Sequence, residues 1–371
     1  MASARVIVAV AVILIAVAGV ALFAARGSGG KELVIYTYGD FMAWGENPNE
    51  TWDKVFYEFG RKYGVEVKVR TFDDARTALL AAIDEYQRGV RTADLIIGVD
   101  NLLIFEAKKA GIIECYYSPV ARDTVPGPVA DALDPDRCVT PIDYGLIALV
   151  YDPTRLPDDV LEALKAPTLD DLAKPEIASR LIVEDPTKSS PGLAFLFWQI
   201  AVSEKLEGRD WRDWWRSIAG QVYVAPSWGD AYDLFLSGGD RAIVVSYGTD
   251  TAYSAWSEGG EPTLRLALIY YAGQSTAWLQ VEGALVVKGQ PGTSLAKKFV
   301  DWLLSEQVQS LVPSNQWMLP ANSKVQLPDY YKYALTLDDV DIVANSLLTT
   351  DEIEANYENW LLDWTQIMSG G

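Results

Sequence analysis

The chain has 371 residues, with 31 Lys plus Arg against 51 Asp plus Glu, a net charge of −20, and no histidine. Such an acidic surface disfavours a grip on nucleic-acid phosphates, and the missing histidine excludes histidine triads, histidine general bases and imidazole zinc sites. Two cysteines cannot build a Cys₄ zinc or ordinary iron–sulfur site, while 50% hydrophobic residues and a length of 371 support a large core divided between two domains.

In chain order the first feature is apolar. Residues 6–25 are uncharged and almost wholly apolar, between Arg5 and Arg26. As a helix they would span about 30 Å, the hydrocarbon thickness of a bilayer. The run exceeds the apolar region of a typical secretory signal, and no small-residue cleavage site or lipid-accepting cysteine follows it. Residues 6–25 are therefore predicted to be a retained membrane anchor for an extracytoplasmic protein. Arg26-Gly27-Ser28-Gly29-Gly30 reads as a flexible tether.

Strand and helix patterns then alternate. Leu33–Tyr38 reads as a buried strand, and Trp52, Val55, Phe56 and Phe59 follow helical spacing. Val65–Phe72 alternates as a strand, Arg76–Arg88 is helical, and Asp94–Val99 is a short apolar strand followed by a helix to Ala110. This rhythm predicts a largely parallel sheet covered by helices. Cys115 and Cys138 bracket a proline-rich loop; outside the cell such a pair suggests a disulfide, with two separate buried thiols as the alternative. Further strands are predicted at Gly145–Tyr151, Leu181–Glu184, Ala242–Tyr247, Leu264–Tyr271 and Trp278–Val287. Helices are predicted from Pro191 and around Ser294–Leu304 and Asp351–Met368. With no polar linker between halves, two α/β lobes joined by crossover strands fit best, and a cleft between lobes is a preferred ligand site.

Enzymatic motifs are weak. Gly273-Gln274-Ser275-Thr276-Ala277 lacks the final glycine of a nucleophile elbow, and no histidine completes a triad. The pairs Asp73-Asp74, Asp158-Asp159 and Asp170-Asp171 read as turns and helix starts rather than as a glycosidase's two acids. The aromatics say more. Tyr38 closes the first strand, Trp228 opens a helix, Tyr247 ends a strand, Tyr253 lies a short turn on, and Trp317 sits in a proline-bounded loop. Carboxyl ends of strands in doubly wound sheets face the ligand crevice. Aromatic faces attract cations and stack on flat rings, so a box of them in an acidic protein points to a cationic, heteroaromatic ligand. Any one of these rings alone would be read as packing, and Trp211, Trp214 and Trp215, at helical spacing, are. In Asp185-Pro186-Thr187-Lys188-Ser189-Ser190-Pro191-Gly192, Ser190 suits an N-cap and Pro191 the first helical position, making a candidate anion site that Lys188 could assist.

Taken in order, these pieces resemble the thiamine-binding proteins that deliver vitamin B1 to bacterial and archaeal ABC importers. The resemblance runs from about Leu33 to Trp364 and includes Tyr36-Thr37-Tyr38, the segment Ala93–Asn101, Asp143-Tyr144-Gly145 and Asp185-Pro186 with Ser189-Ser190-Pro191-Gly192-Leu193. It also includes Trp228-Gly229-Asp230-Ala231-Tyr232, Ser246-Tyr247, Ala252-Tyr253 and Trp317-Met318-Leu319-Pro320. It implies an α/β fold of two doubly wound lobes of periplasmic-binding-protein type II, joined by two crossover strands near Pro141–Gly145 and Leu279–Gly283. The implied lobes are residues 31–142 with 283–371, and residues 143–282, after an anchor and tether in 1–30.

By the same resemblance Tyr38, Trp228, Tyr247, Tyr253 and Trp317 would form the aromatic box. Asp74 would receive an aminopyrimidine, and Ser189 and Ser190 would face the hydroxyethyl or phosphate end. Trp44, Asp100, Asp143 and Lys188 would lie at the edges. No catalysis and no cofactor is implied: the ligand would be thiamine, its monophosphate or its diphosphate. The partners would be a permease and its ATPase, and the protein a monomer. Two departures stand out: Gly39 separates Tyr38 from Asp40, and Lys188 adds a charge beside the candidate phosphate grip. The alternatives are the same fold binding a polyamine or ferric ion, with Tyr270-Tyr271 as a candidate tyrosine pair, or a membrane-anchored two-carboxylate hydrolase.

Overall fold

The computed structural model describes residues 31–370, so the predicted anchor at 6–25 and the tether lie outside the described residues. Among the described residues no helix is long and apolar enough to cross a membrane.

The first three strands are β1 (Lys31–Tyr38), β2 (Val65–Phe72) and β3 (Leu95–Asp100). They pair in parallel in the order β2-β1-β3, as helical crossovers require. The first crossover buries Val55, Phe56 and Phe59 on one face and stops at Gly64, whose φ of 62° suits a residue without Cβ. The second, the helix Ala75–Gln87, starts where the Asp74 carboxylate accepts the Arg76 N–H.

A second set of strands comprises β4 (Thr140–Tyr151), β5 (Leu181–Glu184), β6 (Tyr223–Ala225) and β7 (Ile243–Tyr247). The chain then forms β8 (Arg265–Ala267), β9 (Ile269–Tyr271), β10 (Gln274–Val286), β11 (Leu319–Pro320) and β12 (Ile342–Val343). The main path through the sheet is β2-β1-β3-β10-β4-β7-β5-β6. Its two wings are parallel, and the centre is antiparallel: β10 runs between β3 and β4, and β4 also pairs β7. The two longest strands thus join the wings. Their register places Glu282 of β10 opposite Asp143 on one side and Asp100 on the other.

Helices cover the wings and enclose the cores. The helix Ser190–Ala201 is buried along its whole length. Beside it Trp214 and Trp215 meet edge to face at 5.0 Å, and Trp215 meets Trp364 of the C-terminal helix Thr350–Met368 at 5.7 Å. These tryptophans pack the core, as their spacing predicts. A second cluster gathers Ile35, Phe56, Phe59, Phe299 and Trp302 against the other face of β1. Cys115 and Cys138 are joined in a disulfide that closes the proline-rich segment leading into β4.

Four expectations shift. β4 begins at Thr140 rather than Gly145, and β10 begins at Gln274 rather than Trp278. Leu264–Tyr271 is two strands, because the chain changes partner from β4 to β10 at Leu268. Ser189, not Ser190, is the N-cap of its helix, and its side chain makes no capping hydrogen bond.

Candidate functional site

The carboxyl ends of the parallel strands converge on one cavity. Tyr38 is the last residue of β1, Asp100 of β3, Glu184 of β5 and Tyr247 of β7. The space that a water-sized sphere can occupy within it is about 70 Å³, so the walls stand close together.

One wall is aromatic. Trp228 and Tyr232, one turn apart on the helix Trp228–Leu236, stack at 5.0 Å with an interplanar angle of 22°. Trp44 meets both edge-on, at 5.2 and 5.8 Å. Tyr253 and Trp317 form a second edge-to-face pair at 5.0 Å. The indole N–H groups hold these rings in place: Trp228 Nε1 donates to Ser246 Oγ and Trp317 Nε1 to the Trp44 carbonyl, each at 3.0 Å. Trp317 is held with φ at 57°, an uncommon conformation for a large side chain and one found where function constrains a loop.

Tyr38 is fixed from several sides. Its hydroxyl donates to Glu282 Oε2 at 2.6 Å and accepts from Gln316 Nε2 at 2.5 Å, while Gln316 Oε1 accepts from the Met42 N–H at 2.6 Å. The ring lies on Gly98, whose φ is +98° and where a Cβ would fall 2.6 Å from a ring carbon.

The floor is acidic and poorly neutralised. Burial pushes the Asp74 carboxyl up to about 7; Asp100 adds to the rise, and the N–H groups of Arg76 and Ser190 oppose it. Burial likewise raises Asp250 to about 7, opposed by the neighbouring polar groups of Ser246, Tyr247 and Tyr232. Asp100 rises to about 6, with two backbone N–H groups at 2.8 Å favouring its charge. Glu282 is driven well above the usual range, first by burial and then by Asp143. Asp143 is itself fully buried with neither carboxyl oxygen hydrogen-bonded, so burial holds it neutral. Such a cavity suits a flat cation: π faces on one side, carboxyls that ionise on its arrival on the other.

Of the residues singled out in the sequence, Tyr38, Trp44, Asp74, Ser190, Trp228, Tyr247, Tyr253 and Trp317 line this cavity. Ser189 is wholly buried at the helix start and does not line it. Asp100 and Asp143 flank Glu282 in the sheet behind the lining. Lys188 lies outside, mostly exposed, with its ammonium 2.8 Å from Asp185. Tyr270 and Tyr271 belong to β9 and do not line the cavity. Asp158, Asp159, Asp170 and Asp171 sit in first turns of helices.

Sequence reasoning missed Glu282, Asp250, Tyr232 and Gln316. Glu282 had a signal, as the one charged residue in the thirteen of β10. Tyr232 is at i+4 from Trp228, and Asp250 follows a strand end by three residues. Gln316 had no signal beyond its neighbour Trp317.

Comparison with known proteins agrees with this geometry. Residues 54–337 match the bacterial extracellular solute-binding protein family. The thiamine-binding periplasmic protein of Escherichia coli (strain K12) is 30% identical over 346 residues, covering 91% of this chain and 93% of that protein. A solved periplasmic thiamin binding protein superposes with a TM-score of 0.73 at 27% identity, covering 93% of this chain and 99% of the other. The ferric binding protein from Campylobacter jejuni, at 17% identity and a TM-score of 0.67 over 90% of this chain and 99% of its own, shares the fold. These relatives are solute-binding proteins rather than enzymes, and their fold is the two-lobed type II periplasmic-binding-protein architecture. The chain belongs to the bacterial extracellular solute-binding protein family and, within it, to the group of thiamine-binding periplasmic proteins.

Proposed function

We propose that this protein captures thiamine in the cavity between its sheet wings, outside the cytoplasm, and delivers it to an ABC permease and its ATPase. One observation carries the reading: the aromatic wall of Trp44, Trp228, Tyr253 and Trp317 faces buried acids, Glu282, Asp74 and Asp250, that lack a cationic partner. A thiazolium carries the permanent charge that such faces and acids favour. The aminopyrimidine offers hydrogen-bonding edges to a carboxyl such as Asp74. A polyamine would use the acids and leave the stacking surface without a ring.

Calorimetric titration of the ligand-free full-length protein tests this directly. Thiamine is expected to bind one to one, and spermidine or ferric ion to compete poorly. Trp228→Ala and Trp317→Ala should each weaken thiamine by roughly 0.5–2 kcal/mol. Unchanged affinity in both folded variants would remove the aromatic box from the site.

Residues 6–25 would hold this monomer to the membrane, and the lobes would be residues 31–142 with 283–371, and residues 143–282. The full chain should then sediment with membranes and a chain beginning at Lys31 should not. Release of both into the soluble fraction would discard the anchor.

A further inference from the structure

Outside the cavity, a second set of contacts crosses from one wing to the other. Arg76 stands in the first turn of the helix Ala75–Gln87, and its guanidinium donates to the Thr187 carbonyl in the loop after β5. Glu106, on the helix Leu103–Ala110 of the first wing, aims that guanidinium: its Oε1 accepts from Arg76 Nε at 2.9 Å. The same oxygen accepts from the Tyr357 hydroxyl at 2.8 Å. None of these four residues lines the cavity.

Tyr357 belongs to the helix Thr350–Met368. By sequence that helix goes with residues 283–371, yet it lies on the opposite wing. Tyr357 and Trp360 meet Phe197 at 5.6 and 5.2 Å, and Asp363 pairs with Arg212 at 2.8 Å. The bond from Tyr357 to Glu106 therefore spans the gap between wings, as the bond from Arg76 to Thr187 does. Both are shielded from water: the side chains of Arg76 and Glu106 are 12% and 15% exposed, and Tyr357 is buried. Hydrogen bonds to charged groups keep most of their strength in such surroundings. Lys109 and Glu358 pair close by, but both are mostly exposed and such a pair adds little.

Bonds that exist only while the wings are together favour the closed arrangement, and a ligand that binds that arrangement binds more tightly for it. We infer that Arg76, Glu106 and Tyr357 form a clasp between the wings that slows release of the ligand. They are positioning residues, acting from outside the cavity. The inference rests on the thiamine reading above for the ligand whose release is slowed.

The test is rapid-filtration kinetics of radiolabelled thiamine on the full-length protein. Tyr357→Phe removes the hydroxyl and keeps the ring on Phe197. It should raise the dissociation rate about tenfold and leave the association rate nearly unchanged. Arg76→Lys keeps a charge beside Glu106 but loses the fork that also reaches Thr187, and it should act in the same direction. It serves if Tyr357→Phe does not fold. Asp363→Asn loosens the helix from its own wing without touching the gap, and it should leave the dissociation rate unchanged. An unmoved dissociation rate in the folded clasp variants overturns the clasp, as does an equal rise in Asp363→Asn. If the unmodified protein binds no thiamine, the thiamine reading falls and small-angle scattering decides on the clasp. The ligand-free Tyr357→Phe and Arg76→Lys proteins should then show a larger radius of gyration than the unmodified one, and equal radii overturn it.

Discussion

Asp100, Glu282 and Asp143 stand side by side on three neighbouring strands, and no Lys or Arg lies among the residues that line the cavity beside them. The consequence for pH has a definite sign. Asp74 and Asp250 titrate near 7 and Asp100 near 6 in the folded protein, all above an ordinary aspartate. A carboxyl raised by folding contributes stability that is complete below its unfolded pKa and lost as pH rises through its folded value. These groups should therefore make the ligand-free protein less stable between about pH 4 and pH 8, a trend read from denaturant midpoints at each pH.

Thiamine should act in the opposite direction. Its cation favours the ionised acids, so affinity should rise from about pH 5.5 to 8 with protons released on binding, measurable by titration in buffers of different ionisation enthalpy. A flat affinity profile with no proton release would contradict it. Glu282→Gln should raise ligand-free stability at pH 8 and weaken thiamine by about tenfold or more, since it removes a buried charge partner. Asp143 was legible through its motif, whereas Glu282 reaches the site through cross-strand register. Register joins residues far apart in the chain, and no local spacing encodes it.

Among the elements, the helices and parallel strands were legible because each is specified locally. β2 and β5 lie where alternation and apolar runs place them, and the helix Ala75–Gln87 is one residue from its expected start. The central strands were harder. β4 and β10 are buried on both faces for most of their length, which erases alternation, and the first residues of β10 are defined by pairing with β9 and β12. Helices such as Gly127–Leu133 and Asp158–Ala163 are too short for periodicity to mark.

The β1–β3 contact offers an element-scale test. Gly98→Ala should displace the Tyr38 ring and cost about 1–3 kcal/mol of stability, with weaker thiamine binding. Gly111→Ala, also at positive φ but with open space around its Cβ, separates backbone strain from displacement of the ring. It should lower stability and leave affinity unchanged. Equal loss of affinity in both variants would remove the role given to the Tyr38 contact.

At the scale of the whole molecule, the strand–helix rhythm carried the fold class, and the acidity with the aromatic surplus carried the ligand class. The joining of the wings did not show in the rhythm, because it depends on two strands more than a hundred residues apart in sequence pairing in antiparallel fashion. The site draws on both wings and on that central pair: Tyr38 and Asp74 come from one side, Trp228 and Tyr247 from the other, Glu282 from between.

The distribution of indoles has a practical side. Trp44, Trp228 and Trp317 border the cavity, while Trp198, Trp211 and Trp215 are sealed in the core with almost no exposure. Light absorbed by the first group is emitted beside whatever occupies the cavity; light absorbed by the second is emitted from surroundings the occupant never touches. The protein thus contains its own optical gauge, in which one set of emitters registers arrival and another supplies a steady reference, without a dye.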